Sequence, residues 1–432
     1  MVARVTNSMM ANNLMNNLFN NLRGVENLQH QLSSGRRYAF ISDNPTALIF
    51  EQAARNRMTR IEHYSEMVST SRSWLTQAES GVMELQAVVG DIYEELTRAG
   101  GTMTDVDRQN IAKAVRQMKD HFVDTLNTSF GDRFVFGGFN TPGDFAINRN
   151  NDGIRPFAVN ENGDLLLNGF NTSQFDGLPS NLFSINPNEF TNPTDITDPP
   201  AAGSFREELI NRINTALGQT VPGTTEPLFP ALNDLIGAGN SPEDLATNLQ
   251  MMHHLMADVK SLEVGPGITM PITMNGMNVL FYTVNDPTNG APIIRNMFST
   301  IQEIHHAMSG DPGRDAIAAD ATTSPPTLAR PARPAGPPLE TDDFTLQISL
   351  AQGAQNHLLN MAAEIGGRQR RLDLLQARYE ADMINYGQMH SDAADADIAE
   401  VIMNMRMAET VYQAALAAGA RVIQPTLMDF LR

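Results

Sequence analysis

The 432-residue chain contains no cysteine. Disulfides, thiolate metal sites and cysteine nucleophiles are excluded together, so any fold must be held by packing alone. Long apolar runs are missing too. No stretch of about 18 consecutive apolar residues occurs, and neither a transmembrane helix nor membrane insertion is expected. The first twenty residues lack the apolar centre of a secretory leader, being interrupted at Asn7, Asn12, Asn13, Asn16 and Asn17. No cleavable signal peptide is expected. Positive charge is scarce: 30 Lys and Arg stand against 49 Asp and Glu, a net charge of −19. A nucleic-acid backbone would be repelled, and no local basic patch offsets this.

Catalytic signatures are absent as well. There is no Gly-rich loop ending in Lys-Ser or Lys-Thr, no GxGxxG, no GxSxG and no HExxH. His253-His254 and His305-His306 are adjacent pairs, and neighbours on a helix do not share a face, so they read as helix-surface histidines rather than metal ligands. Asp392, Asp395, Asp397 and Glu400 read as the acidic start of a helix. Arg368, Arg370 and Arg371 read as a solvated or subunit-pairing face. Phe136-Gly137-Gly138-Phe139 reads as a strand-to-turn exit. The expectation is a non-enzyme with no cofactor and no metal.

What is present is helical periodicity at both ends. With 41% hydrophobic residues the chain can build cores for two or three domains. Met15, Leu18, Leu22, Val25 and Leu32 recur at three-four spacing, and Ser33-Ser34-Gly35 is a stop signal. Pro45, after Ser42-Asp43-Asn44, opens a second helix whose series Leu75, Ala78, Val82, Leu85, Val89, Ile92, Leu96 reads as intramolecular core. Thr104 and Asp105 cap a third helix with Ile111, Val115, Met118, Phe122 and Leu126 on one face. Near the other end Leu358, Met361, Ile365, Leu372, Leu375 and Tyr379 predict a helix weakened at Gly366-Gly367 and broken at Tyr386-Gly387. A last helix carries Ile398, Val401, Met405, Ala408, Tyr412, Ala415 and Val422.

Between about Asn140 and Glu340 turn dipeptides accumulate: Asp152-Gly153, Asn162-Gly163, Asn168-Gly169, Asp176-Gly177, Asn275-Gly276 and Asn289-Gly290. Apolar runs such as Leu165 to Leu167 and Val279 to Tyr282 flank them. Helices are predicted near Phe205 to Leu217 and Pro242 to Leu262, the latter behind the cap Ser241. Residues 312–338 are rich in Pro and Ala and predict a linker. The fold class expected is mainly α with an α+β insert: 1–44 plus 392–432 as terminal helices, 45–140 plus 341–391 as a coiled-coil-like helical core, and 141–340 as an inserted domain.

Specific strings add a resemblance. Arg4-Val5-Thr6-Asn7, Gln31-Leu32-Ser33-Ser34-Gly35 and Ile41 to Ala47 with its Pro45, together with Phe134 to Thr141, Ala363 to Leu372, Asp395 to Glu400 and Gln424 to Arg432, resemble bacterial flagellins and their hook-associated relatives. Pro45, Phe134 to Thr141 and Ala363 to Leu372 are similar to the junction members of that family. The resemblance implies a structural subunit at the junction between hook and filament, located in the extracellular flagellum, exported by the type III pathway and needed for motility. It implies a ring of identical subunits, contacts with another hook-associated protein and with flagellin, and an export chaperone holding the C-terminal segment. It also implies that the terminal helices, disordered before assembly, line an inner tube while the insert faces outward. Burial between subunits is then expected for Met15, Leu18, Leu22, Val25, Leu32, Ile398, Val401, Met405, Tyr412, Leu416, Val422, Leu427 and Leu431. Flagellin itself is the alternative, and an enzyme or carbohydrate-binding insert on a flagellin scaffold a remoter one.

Overall fold

The computed structural model describes residues 7–38, 42–99, 104–131, 133–138, 155–160, 163–167, 170–184, 204–220, 227–237, 240–257, 259–286, 289–309 and 341–422. Ten α-helices, two short 3-10 helices (Thr172–Phe175 and Ser180–Leu182) and nine short strands make up the described secondary structure. They fall into two compact units, residues 1–66 with 375–432 and residues 67–374.

Among its described residues the first unit is helical apart from connecting turns and one isolated bridge between Arg36 and Asp395. Helix α1, Asn7–Ser34, stops where Gly35 adopts φ +68° and its amide donates to the Gln31 carbonyl at 2.8 Å, a left-handed cap that glycine takes without steric cost. Helix α2, Pro45–Ala99, starts as the sequence predicts: the Asn44 side chain accepts from the Ala47 amide at 3.1 Å, and Pro45 fills the position where an amide proton has no partner. Helix α9, Thr341–Ala394, runs through both Gly366-Gly367 and Tyr386-Gly387 without a break. The predicted break at Gly387 is therefore wrong. A helical glycine costs only about 1 kcal/mol, less than the packing of a 54-residue helix supplies. Helix α10, Ile398–Val422, is capped by Asp397, whose Oδ1 accepts from the amides of Ala399 at 2.9 Å and Glu400 at 3.2 Å. Asp397 and Glu400 thus take the helix-start role expected of the acidic cluster, whereas Asp392 lies in the last turn of α9, accepting from Gln388 at 3.0 Å, and Asp395 follows that helix, accepting from Ser391 at 2.7 Å.

The second unit holds the rest of α2 and α9, helix α3 (Asp105–Leu126) and the insert. Thr104 and Asp107 form a full capping box ahead of α3. The series Leu75, Ala78, Val82, Leu85, Val89, Ile92 and Leu96 is buried, as are Val115, Phe122 and Leu126 of α3 and Leu358, Ile365 and Leu372 of α9. Polar cross-links fix the register: Arg72 to Asp373 at 3.4 Å, Gln369 to Glu79 at 2.9 Å and His121 to Glu84 at 3.2 Å.

The insert is built of small antiparallel ribbons and short helices. Strands β1 (Ser129–Phe130) and β2 (Arg133–Phe134) pair across Gly131; β3 (Phe157–Val159), β4 (Leu165–Leu167) and β5 (Phe170–Asn171) form a three-stranded sheet. Helices α4 (Phe205–Leu217), α5 (Pro230–Gly237) and α6 (Pro242–Ala257) follow. Next come β6 (Ser261–Gly265) with β7 (Ile268–Pro271), the short helix α7 (Gly276–Leu280), β8 (Phe281–Asn285) with β9 (Pro292–Asn296), and α8 (Met297–Ser309). Helix α8 packs on α3, where Lys119 sits 5.6 Å from the centre of the Phe298 ring. Tyr282 of β8 donates to the Leu350 carbonyl of α9 at 3.1 Å, and His357 of α9 lies with Nε2 2.9 Å from the Asn278 carbonyl. The insert is thus bonded to the helical core within its own unit. The linker at 312–338 lies outside the described residues.

Candidate assembly surface

The ends of α1 and α9 are tied together by backbone. The Arg37 amide donates to the Ala394 carbonyl at 2.8 Å, and the Ala396 amide to the Gly35 carbonyl at 2.9 Å. Beside this tie the carboxylate of Glu51, nearly buried, is 3.4 Å from Arg36 and 3.7 Å from His390. These bonds bring the start of α10 back to the end of α1, and the two helices pack along one another. Val25 and Val401 are buried; Leu18, Leu32, Met405 and Tyr412 are half-buried. A Cβ on Gly419 would come within 2.8 Å of Leu14 Cδ2, so the helices approach closely there.

At about 100° per residue, Val401, Met405, Tyr412 and Gly419 share one face of α10. Met403 lies opposite that face, and Met407 and Val411, following at spacings of four, step round from there towards its flank. They are 61%, 60% and 50% exposed. Helix α1 carries its own exposed row, Met15, Phe19 and Leu22, with Phe19 54% exposed. Ile398 and Leu416 are also exposed. A helix apolar on two sides needs two partners, and α1 supplies only one. Val422 ends α10, and Leu427 and Leu431 lie outside the described residues.

The predicted stripe is therefore divided by the structure. Its buried members face a partner within the same chain, whereas Met15, Leu22, Ile398 and Leu416 remain exposed. Phe19, Met403, Met407 and Val411 were missed because the periodicity was followed along one face only. The i, i+4, i+8 spacing of 403, 407 and 411 was the signal that could have found them.

Other candidate residues find partners within the chain. His253 is buried, with Nε2 2.8 Å from the Leu182 carbonyl and its ring edge-on to Phe205, so it is a core histidine and not a surface one. Arg368 is half-buried, donating to the Pro271 carbonyl at 3.3 Å and pairing with Glu364, whereas Arg370 and Arg371 are exposed as expected. Arg368 lines an open pocket of about 400 Å³ between insert and α9, whose one carboxylate, Glu364, is engaged by that arginine. Among the described residues no group of three His, Asp or Glu side chains is placed to hold a metal, and no helix is long and apolar enough to cross a membrane.

Residues 5–141 match the model of the bacterial flagellin N-terminal helical region. Over these residues the chain is similar to the flagellin N-terminal helical region. The chain is 28% identical over 136 residues to flagellar hook-associated protein 3 of Escherichia coli K12, covering 28% of this chain and 41% of that one. It is 26% identical over 144 residues to flagellar hook-associated protein 3 of Salmonella typhimurium, covering 32% and 44%. The match thus spans less than half the length of these relatives. The solved flagellar junction protein of Legionella pneumophila overlays 80% of this chain and 100% of its own length, with TM-score 0.44 and 10% identity.

Proposed function

We propose that this chain is a structural subunit of the bacterial flagellum that joins hook to filament. The observation that carries the reading is the match of residues 5–141 to the flagellin helical region together with similarity to two hook-associated proteins 3. The exposed apolar rows on α1 and α10 support it. A subunit whose paired terminal helices still present Met15, Phe19, Leu22, Met403, Met407 and Val411 gains by burying them against other copies. On this reading 1–44 with 392–432 line an inner tube, 45–140 with 341–391 surround it, and 141–340 faces outward. The subunit acts outside the cell, after type III export, with another hook-associated protein below and flagellin above. A chaperone holds the C-terminal segment beforehand. The role is mechanical and uses no cofactor.

Deleting the gene tests this directly. The expected result is hooks without filaments, flagellin shed into the medium and lost motility. A deletion strain with normal filaments would overturn the reading. Flagellin itself is the second reading within the class, and purified protein growing long filaments from seeds would favour it.

A further inference from the structure

The chain holds 24 methionines and no cysteine, so thioethers are its only oxidisable sulfur. Met403 and Met407 differ from the rest by position. They are the two most exposed methionines among the described residues, lie one helical turn apart, and sit on the α10 face turned away from α1. Met405, between them in sequence, is half-buried on the opposite side. Met277 and Met297 of the second unit are fully buried.

We propose that Met403 and Met407 form a paired oxidation site through which a peroxide-class oxidant controls assembly; this rests on the assembly reading above. A lone pair on the thioether sulfur attacks one oxygen of hydrogen peroxide. The S–O bond forms as the O–O bond breaks, sulfur gives up two electrons, and the proton of the transferred oxygen joins the departing hydroxide as water. The product sulfoxide is polar and accepts hydrogen bonds. Two sulfoxides, about 5–6 Å apart at their Cβ atoms, convert the middle of an apolar row into a hydrated patch. Burying that patch against another copy leaves polar oxygens without donors. Met405 is shielded on the α1 side, so the pairing of α1 with α10 inside the subunit survives.

The test has two arms on the full chain. In the first, the free subunit is treated with hydrogen peroxide and sulfoxide formation is mapped peptide by peptide. Met403 and Met407 are expected to oxidise roughly tenfold faster than Met277 and Met297, and equal rates overturn the proposal. In the second, treated and untreated protein is supplied to cells lacking the gene, and cells bearing filaments are counted. Treatment should cut that count roughly tenfold for wild type and leave Met403→Leu/Met407→Leu, which keeps the row apolar at similar volume, near its untreated level. If the leucine variant loses incorporation equally, the site is elsewhere and the proposal fails. The exposed Met9, Met15, Met83 and Met389 are intact in both proteins and serve as controls. Untreated protein that restores no filaments breaks the assembly reading instead, while the peptide map still decides the reactivity.

Discussion

The apolar series of α2 and that of α10 look alike in sequence and end differently. Leu75 through Leu96 is fully enclosed within its unit by side chains of the same chain. Over Ile398 to Gly419 the chain encloses only Val401 among the large apolar residues, leaving Ile398, Ile402, Met403, Met407, Val411 and Leu416 exposed. Both helices satisfy a three-four rule, so periodicity alone does not say who the partner is. What separates them is the number of apolar faces. Helix α2 has one enclosed stripe and, in this stretch, a remainder that is polar apart from Met83, whereas α10 also carries Met403 and Met407 on the side away from α1. Neighbours within its own unit complete the first helix, and the second has a face left over.

The same substitution placed in each region tests that difference most severely. Leu85→Asp puts a carboxylate at a fully buried position, at a cost of more than about 4 kcal/mol. The expected outcome is loss of cooperative urea unfolding followed through Trp74, the chain's one tryptophan, which is buried in the same unit. Leu416→Asp should leave that transition unmoved and stop incorporation into flagella. Motile cells carrying Leu416→Asp would break the comparison from the other side.

Glycines in the two long helices offer a smaller test with opposite signs. A Cβ on Gly81 of α2 would stand 2.8 Å from Cε2 and Cζ of the buried Phe136 ring. Gly81→Ala should destabilise by about 1–3 kcal/mol, since the ring must shift in a filled core. Gly366 of α9 has nothing within 4 Å of such a carbon. Gly366→Ala should stabilise by about 0.5–1 kcal/mol through the alanine's lower backbone entropy cost. Urea midpoints measure both, and stabilisation by both substitutions would show that helix propensity, not enclosure, dominates.

Local signals were legible and distant ones were not. Asn44-Pro45, Thr104 with Asp107, and Ser204 ahead of Phe205 are complete within four residues, so α2, α3 and α4 start where the sequence places them. Asn289-Gly290 likewise turns β8 into β9 with Gly290 at φ +73°. Asn275-Gly276, read as a turn, instead starts a helical turn. Asn275 Oδ1 accepts from the Met277 amide, and Gly276 has no room for a Cβ against the Phe157 ring and the Phe136 carbonyl. That reason comes from residues more than a hundred positions away. Val279 and Leu280, read with the apolar run flanking the turns, are helical for the same cause. The fate of Arg368 and His253 depended on Pro271 and Leu182, far off in sequence. For the assembly surface, the sequence showed that apolar faces exist, and only the pairing of α1 with α10 showed which of them are left open.

The smallest effect expected concerns the contact between insert and α9, where the second unit depends on a titratable group. Burial lowers the pKa of His357 below its ordinary 6.5, partly offset by its bond to the Asn278 carbonyl. The neutral ring already serves that bond by donating from Nε2. Above pH 6.5 the ring is neutral in both folded and unfolded chains, and its contribution is complete. As pH falls below 6.5 the unfolded chain takes up a proton that the folded one resists, so stability declines until the folded pKa is passed. Urea midpoints read at Trp74 between pH 8 and pH 5 should therefore fall further for wild type than for His357→Gln, which can donate to the same carbonyl without titrating. Parallel pH curves for the two proteins would mean that acid acts on the second unit through its other groups, and that its insert is held to α9 by packing and by Tyr282 rather than by this histidine.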